Sequence, residues 1–318
     1  AVLVYNNKII GEGFHEHYGQ AHAEVNAIES VPTIHQHLIP QSTLYVTLEP
    51  CSHYGKTPPC SDLIIEKNIP QLFIGSVDPN PRVAGTGIEK LKQAGIKVTT
   101  KILEKECLEI NKAFFTFHQK KRPYFILKWA ESQDGFIALP GPKQVKLSNA
   151  YVNRLVHRWR SETAGILIGY NTAKIDHPRL TNRLWSGASP IRIILDPKDE
   201  LPATLHLFQD GNPTLIYNLK VNRKNDAAEW ISVAPQKDFL QEVCHDLFER
   251  KILSVLVEGG AKTLQTLLQK KLWDEIRIIQ GKHSLGEGLP APKISCQTTT
   301  EESIEDNTIR YCFPTEQL

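Results

Sequence analysis

The chain has 318 residues, 41% hydrophobic and 23% charged, enough for two globular domains that each bury a core. A net charge of +2 without a long basic run argues against a nucleic-acid partner. No apolar run approaches membrane-spanning length and no signal-peptide pattern opens the chain, so we expect a cytoplasmic protein with no membrane contact.

Six cysteines without small-domain spacing do not read as a disulfide framework. Cys107, Cys244, Cys296 and Cys312 are expected to be buried thiols of a reducing compartment. The sequence has no methionine and begins inside a probable strand. Both features lead us to expect residues upstream of Ala1, and spacings one longer wherever a methionine is missing.

In chain order, Ala1–Tyr5 and Lys8–Gly11 form a hairpin about the Asn6-Asn7 turn. A loop rich in Gly and His leads to a helix over Ala21–Ser30. Leu44–Leu48 is a strand stopped by Pro50, and a helix follows over Ser61–Asn68. Leu72–Gly75 is a strand, Ile88–Ala94 a helix and Ile96–Val98 a strand, an alternation that implies a layered α/β sheet. Glu104–Gln119 reads as one helix, and Gln119–Pro123 as a charged hinge between domains 1–119 and 123–318.

Beyond it, Tyr124–Ala130 is a strand, Asp134-Gly135 a turn, and Ala150–Glu162 an amphipathic helix carrying Val152, Leu155, Val156 and Trp159 on one face. Gly165–Gly169 and Ile191–Asp196 suit central parallel strands, with shorter ones at Thr214–Tyr217 and Ile231–Val233. Ser254–Val257 runs into Glu258-Gly259-Gly260 and a helix over Ala261–Gln269. Glu275–Ile279 and Ile309–Phe313 complete the sheet. A strand, two glycines and a helix can cradle phosphate, since glycine lets the backbone approach and free amides attract anionic oxygens. A glycine pair can equally just end a strand. Gly85-Thr86-Gly87 lacks the third glycine of a dinucleotide fingerprint.

Chemistry concentrates in His22-Ala23-Glu24 and in Cys51 and Cys60, which have eight residues between them. One imidazole and two thiolates suit tetrahedral zinc, and three protein ligands leave a corner open for water. Glu24, one turn position away, is placed to handle that water's protons. Either piece alone could be accidental, a chance His-x-Glu or two core cysteines. A structural zinc site would recruit a fourth ligand from His53, His15 or His17, which would leave Glu24 without a task.

The order His-Ala-Glu, then Leu44 to Cys60, resembles the cytidine-deaminase-like fold, in which the glutamate is general acid/base rather than ligand. The eight-residue cysteine spacing, the Thr57-Pro58-Pro59 before Cys60, and Asp78–Gly85 are similar to the pyrimidine deaminase of riboflavin biosynthesis. Lys128–Gly135, Asp176–Arg183 and Val257–Gly260 resemble the reductase half of the same bifunctional family. The resemblance covers Ala1 to about Phe313. It implies a cytidine-deaminase-like three-layer α/β domain followed by a dihydrofolate-reductase-like α/β domain, with Zn2+ and NADPH as cofactors.

It further implies that His22, Cys51 and Cys60 hold zinc, that Glu24 is catalytic, and that His53, Lys56 and Asn80 bind the deaminase substrate. Ala130, Thr172, Asp176 and the run Gly260, Ala261, Lys262, Thr263, Leu264, Gln265 and Thr266 would line the cofactor. Arg160, Leu180, Arg183 and Glu258 would face the sugar phosphate of the small-molecule substrate, with Lys128 and Glu258 giving polar assistance. Lys146 stands where the family often has an aromatic residue. A homodimer through the reductase domain is also implied. The competing readings are a zinc nucleobase or nucleic-acid deaminase with an appended binding domain, and a non-enzymatic zinc-stabilised module.

Overall fold

The computed structural model describes residues 1–16, 19–80, 83–141, 145–294 and 296–314. The chain separates into two compact units, Ala1–Gln119 and Lys120–Leu318.

In the first unit, β1 (Val2–Tyr5) turns into β2 (Lys8–Glu12). Asn6 and Asn7 both have positive φ, 46° and 60°, the pair a type I′ hairpin turn requires. Then come α1 (Ala23–Glu29), β3 (Thr43–Leu48), α2 (Cys60–Glu66), β4 (Gln71–Ser76), α3 (Thr86–Gln93), β5 (Lys97–Thr99), α4 (Glu104–Ile110) and α5 (Lys112–Lys120). The sheet order is β2-β1-β3-β4-β5, with β1 antiparallel to both neighbours and β3, β4 and β5 parallel. Leu72 and Ile74 of β4 join Ile28, Ile64, Ile88 and Leu91 of the first three helices in one core. On the opposite face a Cβ at Gly75 would meet Cys107 Sγ of α4 at 2.1 Å, so glycine there lets α4 lie on the sheet. Helices on both faces make three layers.

One expectation fails in this unit. The helix read as Glu104–Gln119 breaks at Asn111, which leaves the helical region at φ −101°, ψ 11°. The charged stretch Gln119–Pro123 falls where the two units divide, and its cations are held by the second unit: Arg122 is buried and its guanidinium grips the fully buried Asp274, which also accepts from Lys120 Nζ at 2.9 Å. Polar composition reports solvent exposure only on average, and here a buried carboxylate draws the cations inward.

The second unit has β6 (Tyr124–Glu131), β7 (Phe136–Ala138), α6 (Ala150–Ser161), β8 (Gly165–Gly169), α7 (Tyr170–Asp176), β9 (Ile191–Leu195), β10 (Thr214–Asn218), β11 (Arg223–Lys224), β12 (Glu229–Ser232), α8 (Phe239–Glu249), β13 (Ser254–Val257), α9 (Ala261–Gln269), β14 (Glu275–Gln280), β15 (Leu289–Pro290), β16 (Gln297–Ile304) and β17 (Asn307–Phe313). Ten strands form one sheet in the order β11-β12-β10-β9-β8-β13-β6-β14-β17-β16. The seven from β12 to β14 are parallel, and the antiparallel pairs lie at the edges.

Along β8, Leu167 packs into the core on one face while Ile166 and Ile168 pack into the core on the other. Burial on both faces is why these strands read as continuous apolar runs. The sequence reading missed α7, α8 and β16. Asp238 caps α8 by accepting from Leu240 N and Gln241 N, as Asn149 caps α6 through Val152 N. None of the six cysteines, all among the described residues, is in a disulfide; Cys107, Cys244 and Cys312 are buried, but Cys296 is only half-buried.

Candidate active sites

In the first unit, α1 and α2 present their N-termini with the metal-ligand candidates on them. His22 is the N-cap of α1 (φ −75°, ψ 168°) rather than part of it, and Cys60 is the first residue of α2. His22 Nδ1 lies 3.4 Å from Cys51 Sγ and 3.4 Å from Cys60 Sγ. Zinc bonds of about 2.0 Å to nitrogen and about 2.3 Å to sulfur, at a tetrahedral angle, would hold such atoms about 3.5 Å apart. The donor set and its spacing therefore fit zinc. These three are the ligand group found among the described residues, and no fourth His, Cys, Asp or Glu there completes it. His15 sits edge-on to the His22 ring at 5.2 Å without joining the group. His17 lies outside the described residues.

The two thiols are strongly linked. A hydrogen bond from Cys60 holds Cys51 down at about 4, and the same pairing, with burial, pushes Cys60 up. Glu24 is buried beside them, and burial raises its carboxyl above the usual range, with Cys51 acting the same way and His22 against it. His53 and Lys56 are exposed on the loop between the cysteines, and Asn80 stands at the turn after β4. Pro81 and Arg82 of the Asp78–Gly85 motif lie outside the described residues.

The sequence reading passed over Glu49, which is almost wholly buried. Its Oε2 accepts from Asp78 N at 3.2 Å and Gly85 N at 3.0 Å, and its Oε1 from Gly87 N at 3.0 Å and Ile88 N at 3.2 Å. Glu49 lies two residues before Cys51, in a stretch that a proline-stopped strand makes look merely connective.

In the second unit the chemistry gathers at the C-terminal ends of β6, β13 and β8, where a parallel sheet exposes its strand-to-helix turns. Gly169 N donates to Gly259 O at 3.1 Å, tying two such turns together. A Cβ at Gly169 would meet Thr263 Oγ1 at 2.4 Å, and one at Gly260 would meet Thr172 Oγ1 at 2.8 Å. Two turns stripped of side chains, flanked by two threonine hydroxyls and opening α7 and α9, form a cradle that fits a cofactor's phosphates. Gly169 was missed because a glycine ending an apolar strand has a purely structural account.

The remaining candidates scatter more. Ala130 is half-buried on β6, and Asp176 is exposed at the end of α7. Ala261 and Lys262 open α9, Gln265 Oε1 accepts from Lys293 N, and Thr266 Oγ1 donates to Lys262 O. Leu264 turns its side chain into the core. Lys146 is exposed.

Glu258 is sandwiched between cations. Arg160 Nε and Nη2 donate to its two oxygens at 2.7 and 2.9 Å, and Lys128 Nζ to Oε2 at 3.4 Å. Burial alone would raise this carboxyl, but Lys128 and Arg160 outweigh it and hold Glu258 at about 2. Arg160 Nη1 also donates to Thr181 O at 3.1 Å, so three of its five N–H bonds are already committed. Leu180 is buried with φ 55°, so only its main chain can face a ligand. Arg183 is exposed and lines a cavity of about 430 Å³ with Arg154, Leu184, Trp185 and Ser186. Partial desolvation and the nearby Arg160 and Arg179 push Arg183 below its usual value, the mark of a cation-rich corner.

Hydrolytic release of ammonia is the chemistry the first arrangement serves and reduction the second, which makes the class a zinc deaminase joined to a reductase. Comparison with known proteins places the chain within that class. Residues 1–76 match the cytidine and deoxycytidylate deaminase zinc-binding region, and residues 123–305 the RibD C-terminal domain. The chain is 36% identical over 310 residues to the riboflavin biosynthesis protein RibD of Aquifex aeolicus, covering 96% of this chain and 86% of the relative. It is 38% identical over 303 residues to RibD of Bacillus amyloliquefaciens, covering 92% and 80%. A Thermotoga maritima structure described as a diaminohydroxyphosphoribosylaminopyrimidine deaminase/5-amino-6-(5-phosphoribosylamino)uracil reductase superposes with a TM-score of 0.88 at 33% identity, covering 98% of this chain and 90% of that one.

The chain belongs to the RibD family of riboflavin biosynthesis proteins. It is a bifunctional enzyme with a zinc-binding deaminase part and a reductase part, not a nucleobase or nucleic-acid deaminase with an appended binding domain.

Proposed function

We propose that the first domain, residues 1–119, deaminates a diaminopyrimidinone ribosyl phosphate and that the second, residues 123–318, reduces the deaminated product's ribosyl group to a ribityl chain. The observation that carries the deaminase reading is the three-donor group with Glu24 buried beside it. His22, Cys51 and Cys60 would hold zinc, which when bound supplies a Lewis acid and a water acidic enough to ionise near neutral pH. Glu24 would carry two protons in turn at its carboxylate, one from the attacking water to the ring nitrogen and one from the resulting hydroxyl to the amine, which leaves as ammonia. Lys56 suits a phosphate oxygen, while Asn80 and His53 suit the edges of the heterocycle.

In the second domain the glycine turns with Thr172 and Thr263 support NADPH as the cofactor, Ala130, Asp176 and the start of α9 completing its binding surface. NADPH supplies the hydride when bound, and the protein binds and orients. Arg183 and the two uncommitted N–H bonds of Arg160 would take the substrate phosphate. Lys128 and Glu258 would order the sugar hydroxyls, and Leu180 would contribute its main chain. Six free thiols suit a cytoplasmic setting. We further propose a homodimer through the reductase domain, which light scattering of each domain and of the full chain tests.

The deciding assay follows ammonia release and NADPH absorbance together. Given the diamino substrate, ammonia should appear before NADPH falls; given the deaminated ribosyl phosphate, NADPH should fall at once without ammonia. Oxidation of NADPH on the diamino substrate with no ammonia released would overturn the assignment.

A further inference from the structure

Glu49 links the zinc-ligand segment to the arm that carries Asn80, and the mechanism above gives it no task. Its four amide donors are 29, 36, 38 and 39 residues away in sequence. Two of them, Gly87 N and Ile88 N, are free amides of the first turn of α3, and a third belongs to its N-cap Gly85, which has no side chain to satisfy them. A carboxylate there meets both the unpaired donors and the positive end of the helix dipole.

The neighbouring contacts are as tight. Gly87 approaches so closely that a Cβ on it would meet Pro50 O at 2.2 Å. Gly85 takes φ 79°. Glu49 N donates to Ser76 O at 2.9 Å, and Ser52 Oγ lies 2.6 Å from Thr86 Oγ1. Within the arm, Asn80 N donates to Asp78 Oδ1 at 2.8 Å, and Asn80 O accepts from Val83 N and Ala84 N. Both ends of the turn bearing Asn80 are thus tied to one carboxylate, two residues from Cys51.

We propose that Glu49 is a positioning residue for deamination: without touching substrate, it sets where the Asn80 arm stands relative to the zinc-ligand segment, and so sets substrate affinity. This rests on the reading of Asn80 as a substrate contact. Glutamine is isosteric but turns one acceptor into an amide NH2 donor facing backbone N–H groups, so Glu49→Gln releases part of the arm without opening a cavity.

The test uses the full chain carrying Glu49→Gln, Asn80→Ala, both together, and Glu49→Asp. It measures zinc content, deamination kinetics, reductase turnover on the deaminated substrate, and amide hydrogen exchange of peptides spanning 78–88. Glu49→Gln should keep zinc and reductase turnover, speed exchange in those peptides, and lower kcat/KM for deamination about 10- to 100-fold, mainly through KM. The double variant should be no worse than the poorer single one, since both changes act through one contact. Glu49→Asp, which keeps the charge on a shorter arm, should recover part of the loss.

An effect of Asn80→Ala on KM, with none from Glu49→Gln, overturns the positioning role alone. No effect of Asn80→Ala removes the Asn80 reading and this proposal with it. Loss of zinc or of reductase turnover in Glu49→Gln makes Glu49 a general structural residue and also refutes the proposal.

Discussion

Glu258→Gln probes the charge balance at the end of β13 most directly. The wild-type carboxylate is held at about 2 against an ordinary value of 4.5. At about 1.4 kcal/mol per pH unit, that difference corresponds to about 3 kcal/mol of folding stability at pH 7. The side chain is only 9% exposed, so little of this is lost to solvent screening. The variant also leaves Arg160 and Lys128 facing a neutral amide, and breaking a buried pair of this kind costs about 3–5 kcal/mol.

For a unit of this size each kcal/mol moves the midpoint about 2–4 °C, so its transition should fall by about 6–12 °C at pH 7. The pH dependence gives the sign. A depressed carboxyl contributes fully above its unfolded value and loses the contribution as pH falls through the folded one. The gap between wild type and Glu258→Gln should therefore be constant above about pH 5, shrink below it and close near pH 2. Calorimetry, resolving the second unit's transition across pH 2–8, is the assay. A gap under about 2 °C at pH 7, or one that does not change between pH 7 and pH 3, would refute the reasoning.

Glu24→Gln should retain one zinc per chain by atomic absorption and cut deamination about 10²–10⁴-fold, leaving reductase turnover intact; turnover near wild type would remove Glu24 from proton transfer. Arg183→Ala should raise KM for the reductase substrate about tenfold or more without altering deamination, because its cavity belongs to the second unit; equal loss in both assays would point to misfolding instead. Gly169→Ala should weaken NADPH binding, as its new methyl would lie 2.4 Å from Thr263 Oγ1, and adding Thr263→Ala should restore part of it by relieving that collision. Titration by protein fluorescence reads both variants, and an unchanged NADPH affinity in the single one would separate this turn from the cofactor.

The three-donor group could be read from the chain because donor type and spacing carry the chemistry almost unaided. His22 and Glu24 are a helix start apart, and proline before each cysteine marks where the chain turns. The Asn6-Asn7 hairpin was legible for the same reason: left-handed backbone at two successive positions selects its own residues. The apolar runs of β8, β9 and β13 declared a sheet covered on both faces. By contrast, α7 is too short to show a repeating face, whereas α8 went unread although Asp238 caps it and Leu240, Val243, Cys244 and Leu247 recur at helical spacing. The charge of Gln119–Pro123 was legible, but not its destination, since a charged stretch looks alike whether water or a buried carboxylate receives it.

What the sequence by itself determined, then, is whatever depends on residues close along the chain: the metal donors, the caps, the turns and the strand faces. Tertiary structure alone decided the partners of its buried charges. Glu49 finds its amides up to 39 residues away, Arg160 finds Glu258 across 98, and Arg122 finds Asp274 across 152. A buried ion must be paired wherever the fold brings a counter-charge, and no local pattern encodes which one arrives.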